Sequence, residues 1–519
     1  MDRPGKQTGQ RKDADVKGTK PTQVPPPSGG AAVTHGGGPL QLSRLIRGIA
    51  LTDQIGQDVE ITSLTCDSRT VTPGGLFAAF PGAQTDGNRF IPEALERGAA
   101  AVLCAAPPDL PGPWLIAPDP RRAFGEMAAN WFGRPGDRMT LLGVTGTNGK
   151  TTTTYLLKWV LERAAGAKVG LIGTNQNLIA DQVLPAQRTT PDAYTLQNLL
   201  ARMAAAGCTH VVMEVSSHAL ALRRTAGLWY RAGIFTNLTR DHLDFHGTMA
   251  EYQRAKSLLF RQCHAGIFNQ DDPVGEELAQ TAPCRRVTFG TGAAQVAARQ
   301  IRLAPDGVSF QVEAPQGSAQ VALPIPGSFS VANALGVVAC CLELGLPLAE
   351  IADALSQASG VRGRMEVVPV PAPYTVVIDY AHTPDALAKV LPALVPEPGG
   401  RKICLFGCGG DRDRTKRPVM GEIAAELADF VVLTSDNPRT EDPEAILDQV
   451  AEGFPPGFGA WVRQPDRREA IRQALAMGRP GDVILLAGKG HETEQEIGKN
   501  RIPLDEREEI ASFFRWNTV

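Results

Sequence analysis

A chain of 519 residues is longer than one hydrophobic core organises, so about three domains are expected. Its 52 Lys and Arg against 55 Asp and Glu leave a net charge of -3, which excludes a global field for a polyanion such as nucleic acid. Any anion must be bound locally. Nine cysteines, several inside apolar runs (Cys104, Cys340, Cys341, Cys404), read as small core residues in a reducing compartment rather than as a disulfide framework. Cys404 and Cys408 lack a second ligand pair, so no zinc site is expected.

In chain order, residues 1–39 carry Lys6, Arg11, Lys17 and Pro25 to Pro27 but almost nothing to bury, which predicts a disordered tail. Neither an apolar signal core nor a run of about 18 apolar residues is present, so a cytoplasmic protein without a membrane span is expected. Residues 40–137, with β-like pieces at 76–80 and 100–104, read as a small α/β domain ending in a Gly/Pro-rich linker at 132–138. Residues 138–362 hold apolar runs at 139–144, 210–215, 233–236 and 266–268, each followed by a polar loop. That pattern predicts a parallel sheet covered by helices, with ligands beyond the carboxyl ends of its strands. A helix-like stretch at 330–359 closes this part, and a boundary is placed near 361–364. Residues 363–519 alternate strands at 374–378, 402–406, 430–434 and 482–487 with helical segments, a Rossmann-like pattern. The fold class is therefore α/β in three domains.

The strongest chemical signal is Val144-Thr145-Gly146-Thr147-Asn148-Gly149-Lys150-Thr151, between an apolar strand and a helix-like segment. Gly146 and Gly149 let backbone N–H groups turn inward, and a helix N-terminus adds partial positive charge where triphosphate oxygens would lie. Lys150 can reach the β- and γ-phosphates, and Thr151 can ligate magnesium. Val144 stands where the longer form of this loop has glycine, so only Gly-x-x-Gly-Lys-Thr is present. A plain glycine turn would account for the glycines but not for the Lys-Thr pair.

Three further motifs follow: Met213-Glu214-Val215-Ser216-Ser217-His218, Thr236-Asn237-Leu238-Thr239-Arg240-Asp241-His242-Leu243-Asp244, and Asp379-Tyr380-Ala381-His382-Thr383-Pro384. In this order they resemble the Mur ligases, the ATP-dependent peptide-bond formers of peptidoglycan assembly, and the likeness runs from residue 66 to the C-terminus. The resemblance implies a carboxylate that attacks the γ-phosphate of ATP and an amine that then displaces phosphate. It implies that Gly146, Thr147, Asn148, Gly149, Lys150, Thr151 and Thr152 hold ATP, with Asn333 on the adenine side and Arg364 and Asp379 brought up by the C-terminal domain. Glu214 resembles the glutamate that binds Mg2+ with Thr151, His242 the ligand of a second Mg2+, and Lys256 the lysine that becomes carbamylated. Taken alone, a lysine on an amphipathic helix is a solvated residue, so the carbamate rests on resemblance. Lys150, Glu214, His242 and Lys256 are the implied catalytic set.

Cys66-Asp67-Ser68-Arg69 and residues 82–87 resemble the uridine-binding part of the subgroup that adds the third peptide residue. Ser68, Ala83, Gln84 and Thr85 are implied there, with Thr189, Thr190, Ser216 and Arg224 on the muramoyl dipeptide, UDP-N-acetylmuramoyl-L-alanyl-D-glutamate. Leu222 stands where some members have glutamine. Asp436-Asn437-Pro438-Arg439 resembles the diaminopimelate-adding form, with Arg412, Gly488 and Glu492 completing the pocket and Glu492 facing the distal ammonium. Meso-diaminopimelate differs from lysine by a second carboxylate, which a guanidinium can clamp bidentately. Lysine addition, folylpolyglutamate synthesis and a non-catalytic nucleotide switch are the competing readings. No nucleic-acid or membrane partner is expected, and a monomer is.

Overall fold

The computed structural model describes residues 37–82 and 86–516; the expected tail up to residue 36 and the positions Ala83, Gln84 and Thr85 lie outside the described residues. No helix among the described residues is long and apolar enough to cross a membrane.

Three sheets carry the chain. The first has five strands in the order Asp53–Gln54, Trp114–Ile116, Ala101–Cys104, Leu76–Ala78, Leu64–Thr65, all parallel except the first. Its helix Pro120–Trp131 starts where Asp119 accepts the Arg122 N–H and Pro120 supplies a preset first turn. Phe124, Met127 and Trp131 on that helix are buried against Leu103 and Leu115.

The second sheet has eleven strands. At its centre Val169–Ile172, His210–Glu214, Thr140–Thr145, Tyr230–Phe235 and Cys263–Asn269 run parallel, side by side. The last four of these are the apolar runs read from the sequence, while Val169–Ile172 was not anticipated; the carboxyl ends of all five form one edge. The far side of the sheet was not anticipated: Val296–Ala304, Gly307–Ala314 and Gly317–Leu323 extend it as an antiparallel meander. The expected single helix at 330–359 is two helices, Ser328–Glu343 and Leu348–Ser356. Gly345 adopts φ 87° and Pro347 cannot donate, so the helix stops and restarts there. The first of the pair packs on the helix Lys150–Ala164.

The third sheet runs Glu366–Val368, Thr375–Asp379, Val483–Ala487, Lys402–Phe406, Phe430–Leu433, Trp461–Arg463, parallel after its first strand. A fully buried ion pair locks its carboxyl edge. Arg467 donates to Glu506 Oε1 from Nε at 2.9 Å and Nη2 at 2.7 Å, and to the carbonyls of Ala487 at 2.8 Å and Ser435 at 3.3 Å. Those carbonyls immediately precede Gly488 and Asp436, so the pair fixes where two of the loops implied in amino-acid binding begin. Cys104, Cys340, Cys341 and Cys404 are all 0% exposed, as core cysteines should be.

Candidate functional site

The loop after Thr140–Thr145 is shaped by steric exclusion. A Cβ on Gly146, which sits at φ 148°, would stand 1.9 Å from Thr236 Oγ1, and one on Gly149, at φ 83°, would stand 2.4 Å from Asn333 Oδ1. The neighbouring loop braces it: Thr147 N–H donates to Asn237 O at 2.8 Å, Asn148 N–H to Asn237 Oδ1 at 3.0 Å, and Thr236 Oγ1 to Asn148 O at 2.6 Å. Lys150 folds back to donate to the carbonyls of Gly146 at 3.0 Å and Thr147 at 2.9 Å. Burial pushes its pKa below the usual lysine value, with Arg364 adding to that and Glu214 and Asp241 opposing it. A half-buried cation whose acceptors among the described residues are carbonyls of its own loop is available to an incoming anion.

Glu214, at the end of the adjacent strand, is 1% exposed. Its Oε1 accepts from Thr151 Oγ1 at 3.0 Å and from the Thr174 N–H at 2.9 Å, and its Oε2 from Thr174 Oγ1 at 3.0 Å. The Thr151 hydroxyl and the Glu214 carboxylate are thus two adjoining oxygen donors at a helix start. Among the described residues no group of three or more His, Cys, Asp and Glu is placed to hold a metal. One carboxylate and one hydroxyl, with the remaining positions left to water and phosphate oxygens, is a set that suits Mg2+.

A cavity of about 130 Å3 is lined by this loop, Thr152, Thr174, Thr189, Glu214 and Arg364. Arg364 enters it from the C-terminal part of the chain; its guanidinium lies 5.0 Å from the Tyr380 ring centroid, and its buried Nε has no partner among the described residues. Asp379 does not line the cavity. It accepts the Met365 N–H at 2.8 Å, so it orders the segment that carries Arg364. Burial raises its pKa, against Arg364 and the backbone donors Met365 and Ala381. Asn333 accepts from Thr153 Oγ1 at 3.3 Å beside Gly149.

Lys256 is 2% exposed. Its ammonium donates to Gly146 O at 2.7 Å and lies 4.5 Å from the Tyr252 ring centroid. Burial and the neighbouring Lys150 charge hold its pKa well below the usual lysine value. Lys256 does not lie on the solvated face that its helix position taken alone would suggest, because the helix Met249–Ser257 turns this residue under the phosphate loop. His242 adopts φ 52° and lies edge-on to His218, ring centroids 4.9 Å apart, with Asp241 at 3.4 Å.

Next to Glu214, Thr190 gathers the dipeptide candidates. Its hydroxyl donates to Glu214 O at 2.8 Å and accepts the Ser216 N–H at 3.0 Å, while Arg224 donates to Thr190 O at 3.0 Å. Thr189 shares a 3.0 Å hydrogen bond with Thr174. Burial lowers the Arg224 pKa, and so do nearby Arg188 and Arg121, two cations the sequence reading missed. Ser68 is engaged with Glu93, donating at 2.8 Å, rather than free.

At the edge of the third sheet, Asp436, Asn437, Pro438, Arg439 and Gly488 converge. Asp436 and Asn437 are each 7% exposed, and a Cβ on Gly488 would stand 3.1 Å from Asp436 Oδ2. A Cβ on Gly409 would be 3.0 Å from Arg439 Nη1 and 3.8 Å from Arg412 Cγ, so both arginines adjoin that loop. Glu492 already has partners: Lys489 donates to it at 2.8 Å, Asn437 at 3.1 Å and Tyr380 at 3.3 Å. Burial works to raise its pKa, but the Lys489 ammonium and these donors outweigh burial and hold it below the usual range. The resemblance implies that Glu492 faces the distal ammonium of the amino acid; 0%-exposed Lys489, not foreseen, also sits against it, because a buried ammonium requires an acid.

The loop carrying Arg412 hangs on Glu441, which accepts from Arg417 Nη1 and Nη2 at 3.0 Å each and from the Asp411 N–H at 2.6 Å. Those donors, Arg417 first, hold the Glu441 pKa at about 2, below its ordinary 4.5. A depressed carboxylate stabilises the fold fully above the unfolded value and loses that contribution as pH falls toward about 2. Glu441→Gln should therefore lower stability at pH 7 and flatten its decline between pH 4.5 and 2, read by denaturant titration at each pH. A decline as steep as in the wild type would contradict the assignment.

A larger cavity, about 470 Å3, lies between the helix Pro120–Trp131 and the segment around Trp229. Its Arg223 is spent on Asp119 at 2.9 Å and its Arg122 on Glu126 at 2.9 Å. It adjoins none of the motif loops.

A parallel sheet whose carboxyl edge bears a glycine-lysine-threonine loop and a buried glutamate defines the phosphate-loop class. Family models described as Mur ligase family, catalytic domain, Mur ligase middle domain, and Mur ligase, glutamate ligase domain match residues 60–128, 144–341 and 363–490. The chain is 44% identical over 473 residues, 90% of it and 98% of the relative, to the UDP-N-acetylmuramoyl-L-alanyl-D-glutamate--2,6-diaminopimelate ligase of Caldanaerobacter subterraneus. It is 45% identical to the protein of that name from Gloeobacter violaceus, over 91% of this chain and 97% of the relative. A solved structure of a ligase of the same name matches with TM-score 0.71 and 32% identity, covering 93% of this chain and all of that one. The chain belongs to the Mur ligase family.

Proposed function

We propose that the chain is an ATP-dependent ligase that joins meso-2,6-diaminopimelate to the D-glutamate of UDP-N-acetylmuramoyl-L-alanyl-D-glutamate, in the cytoplasm, for peptidoglycan synthesis. The observation that carries this reading is the convergence of Lys150, Thr151, Thr189, Glu214 and Arg364 on one cavity, with Thr190 bonded to the Glu214 backbone beside it, in a chain whose third sheet presents Arg439 and Arg412 at its edge. Likeness to relatives bearing that activity in their names supports it.

On this reading the N–H groups of residues 146–151 and the Lys150 ammonium grip the triphosphate, Lys150 exchanging its loop carbonyls for phosphate oxygens. Asn333 lies on the adenine side, and Arg364 approaches the phosphates from the C-terminal domain. Thr151 and Glu214 would hold Mg2+, and His242 with a carbamate on Lys256 a second ion. Bound Mg2+ would screen the repulsion between the substrate carboxylate and the γ-phosphate oxygens. Thr189, Thr190, Ser216 and Arg224 orient the dipeptide, with Arg121 and Arg188 adding positive charge for a diphosphate and Ser68 on the uridine side. The carboxylate oxygen attacks the γ-phosphorus and ADP leaves. The amine nitrogen then attacks the acyl carbon, and inorganic phosphate departs.

Arg439 and Arg412 would meet the carboxylate that lysine lacks, with Asp436, Asn437, Pro438, Gly488 and Glu492 around the amino acid. Phosphate release should require the dipeptide and diaminopimelate together, with lysine a poor replacement. Arg439→Ala should raise the KM for diaminopimelate by about 30- to 100-fold with little change in KM for ATP. Efficient use of lysine without diaminopimelate, or equal losses for both ligands, would overturn the assignment.

A further inference from the structure

Arg439 is built in from both its backbone and its side chain. Its φ of 51° lies in the left-handed region, which a non-glycine residue keeps only where its surroundings impose it. Those surroundings are the hairpin of Glu494–Ile497 and Asn500–Pro503. The Arg439 N–H donates to Glu496 O at 3.0 Å, and the Gly498 N–H donates to Arg439 O at 2.7 Å, a parallel bridge that sets Arg439 beside Ile497. The Glu496 N–H donates to Asn437 Oδ1 at 3.0 Å. The hairpin's main chain therefore grips the Asp-Asn-Pro-Arg loop at two residues, through the backbone of Arg439 and the side chain of Asn437.

The side chain completes the grip. Arg439 Nε donates to Glu496 Oε2 at 2.8 Å, and Nη1 donates to Gly410 O at 2.9 Å. Nη2 has no acceptor among the described residues, so its hydrogens remain for a ligand. The other Glu496 oxygen faces Arg501 Nη2 at 3.4 Å. The Glu496 charge is thus shared between two guanidinium groups, and Arg439 keeps a net positive pull. An ordinary surface ion pair would leave both long side chains free to rotate; here the main-chain bonds fix the base of each.

We propose that Glu496 is a positioning residue: it locks the rotation of the Arg439 guanidinium and so sets recognition of the second carboxylate of a diamino-dicarboxylic acid. This deepens the proposed function and rests on its reading of Arg439. A guanidinium already oriented loses less rotamer freedom when the ligand arrives, so the effect falls on amino-acid affinity and not on ATP use.

The test compares Glu496→Ala, Glu496→Gln and Arg439→Ala in the full-length protein, measuring kcat and the KM values for diaminopimelate and ATP. Glu496→Ala should raise the diaminopimelate KM about five- to tenfold while kcat and the ATP KM stay within about twofold. Glu496→Gln, whose amide oxygen still accepts from Nε, should recover most of that loss. An unchanged diaminopimelate KM in Glu496→Ala overturns the proposal, and so does a matching loss of kcat and ATP affinity in both Glu496 variants. If Arg439→Ala raises the diaminopimelate KM and Glu496→Ala does not, the positioning role alone falls. If Arg439→Ala leaves that KM untouched, the reading of the pocket falls and the positioning role with it.

Discussion

Lys150→Ala is expected to lower the rate of amide synthesis by about 10³-fold or more, the scale of a lost charge contact that acts where negative charge gathers. Among the described residues no acid lies within hydrogen-bonding distance of this ammonium; it rests on the carbonyls of Gly146 and Thr147. Triphosphate oxygens are stronger acceptors than those carbonyls, and burial around Lys150 keeps the local dielectric low. The contribution should grow as the γ-phosphoryl is transferred, so the loss should appear in kcat as well as in nucleotide affinity. Single-turnover phosphate release at saturating ATP separates the two. A variant that weakens ATP binding but transfers phosphate at the wild-type rate would leave Lys150 as an anchor only.

The phosphate loop was legible because its chemistry is local: Gly146, Gly149, Lys150 and Thr151 lie within six positions, and the strand and helix around them follow from apolar runs. The apolar parallel strands at the centres of the second and third sheets were legible for the same reason, whereas Val169–Ile172 and the partly exposed Arg285–Gly290 and Trp461–Arg463 were passed over. The meander after them was missed although Val308, Phe310 and Val312 are buried in strict alternation with outward-facing neighbours, a two-residue period that a search for continuous apolar runs passes over. The break between the helices Ser328–Glu343 and Leu348–Ser356 also carried a signal, Gly345 with Pro347. No local signal existed for Arg467 or Glu496, whereas Lys489 meets Glu492 only three positions away. Arg467 meets Glu506 across 39 positions and Arg439 meets Glu496 across 57, and only the assembled sheet makes them neighbours. The same holds for Lys256, which is separated from Gly146 by 110 positions. Its sequence neighbours describe a helix surface, whereas its burial is decided by a loop on another strand.

That burial underlies the second large effect. A cation that is 2% exposed, bonded to one backbone carbonyl and placed near Lys150, is electrostatically unfavourable where it stands. Its depressed pKa enlarges the fraction of neutral amine at neutral pH, and a neutral amine can add to the carbon of CO2, losing a proton to give a carbamate anion. Repulsion from Lys150 then becomes attraction, and with His242 the anion would supply oxygen and nitrogen donors to a divalent ion. Lys256→Ala is accordingly expected to lower kcat by about 10²- to 10³-fold. Wild-type protein prepared without CO2 should lose activity and regain it on adding bicarbonate, with the mass change of carbamylation assigned to the peptide bearing Lys256. Lys256→Arg, which keeps a cation of fixed charge, should stay inactive whatever the bicarbonate concentration. If Lys256→Arg matched the wild type, a positive charge would be what the site needs, and the carbamate would have no place in it.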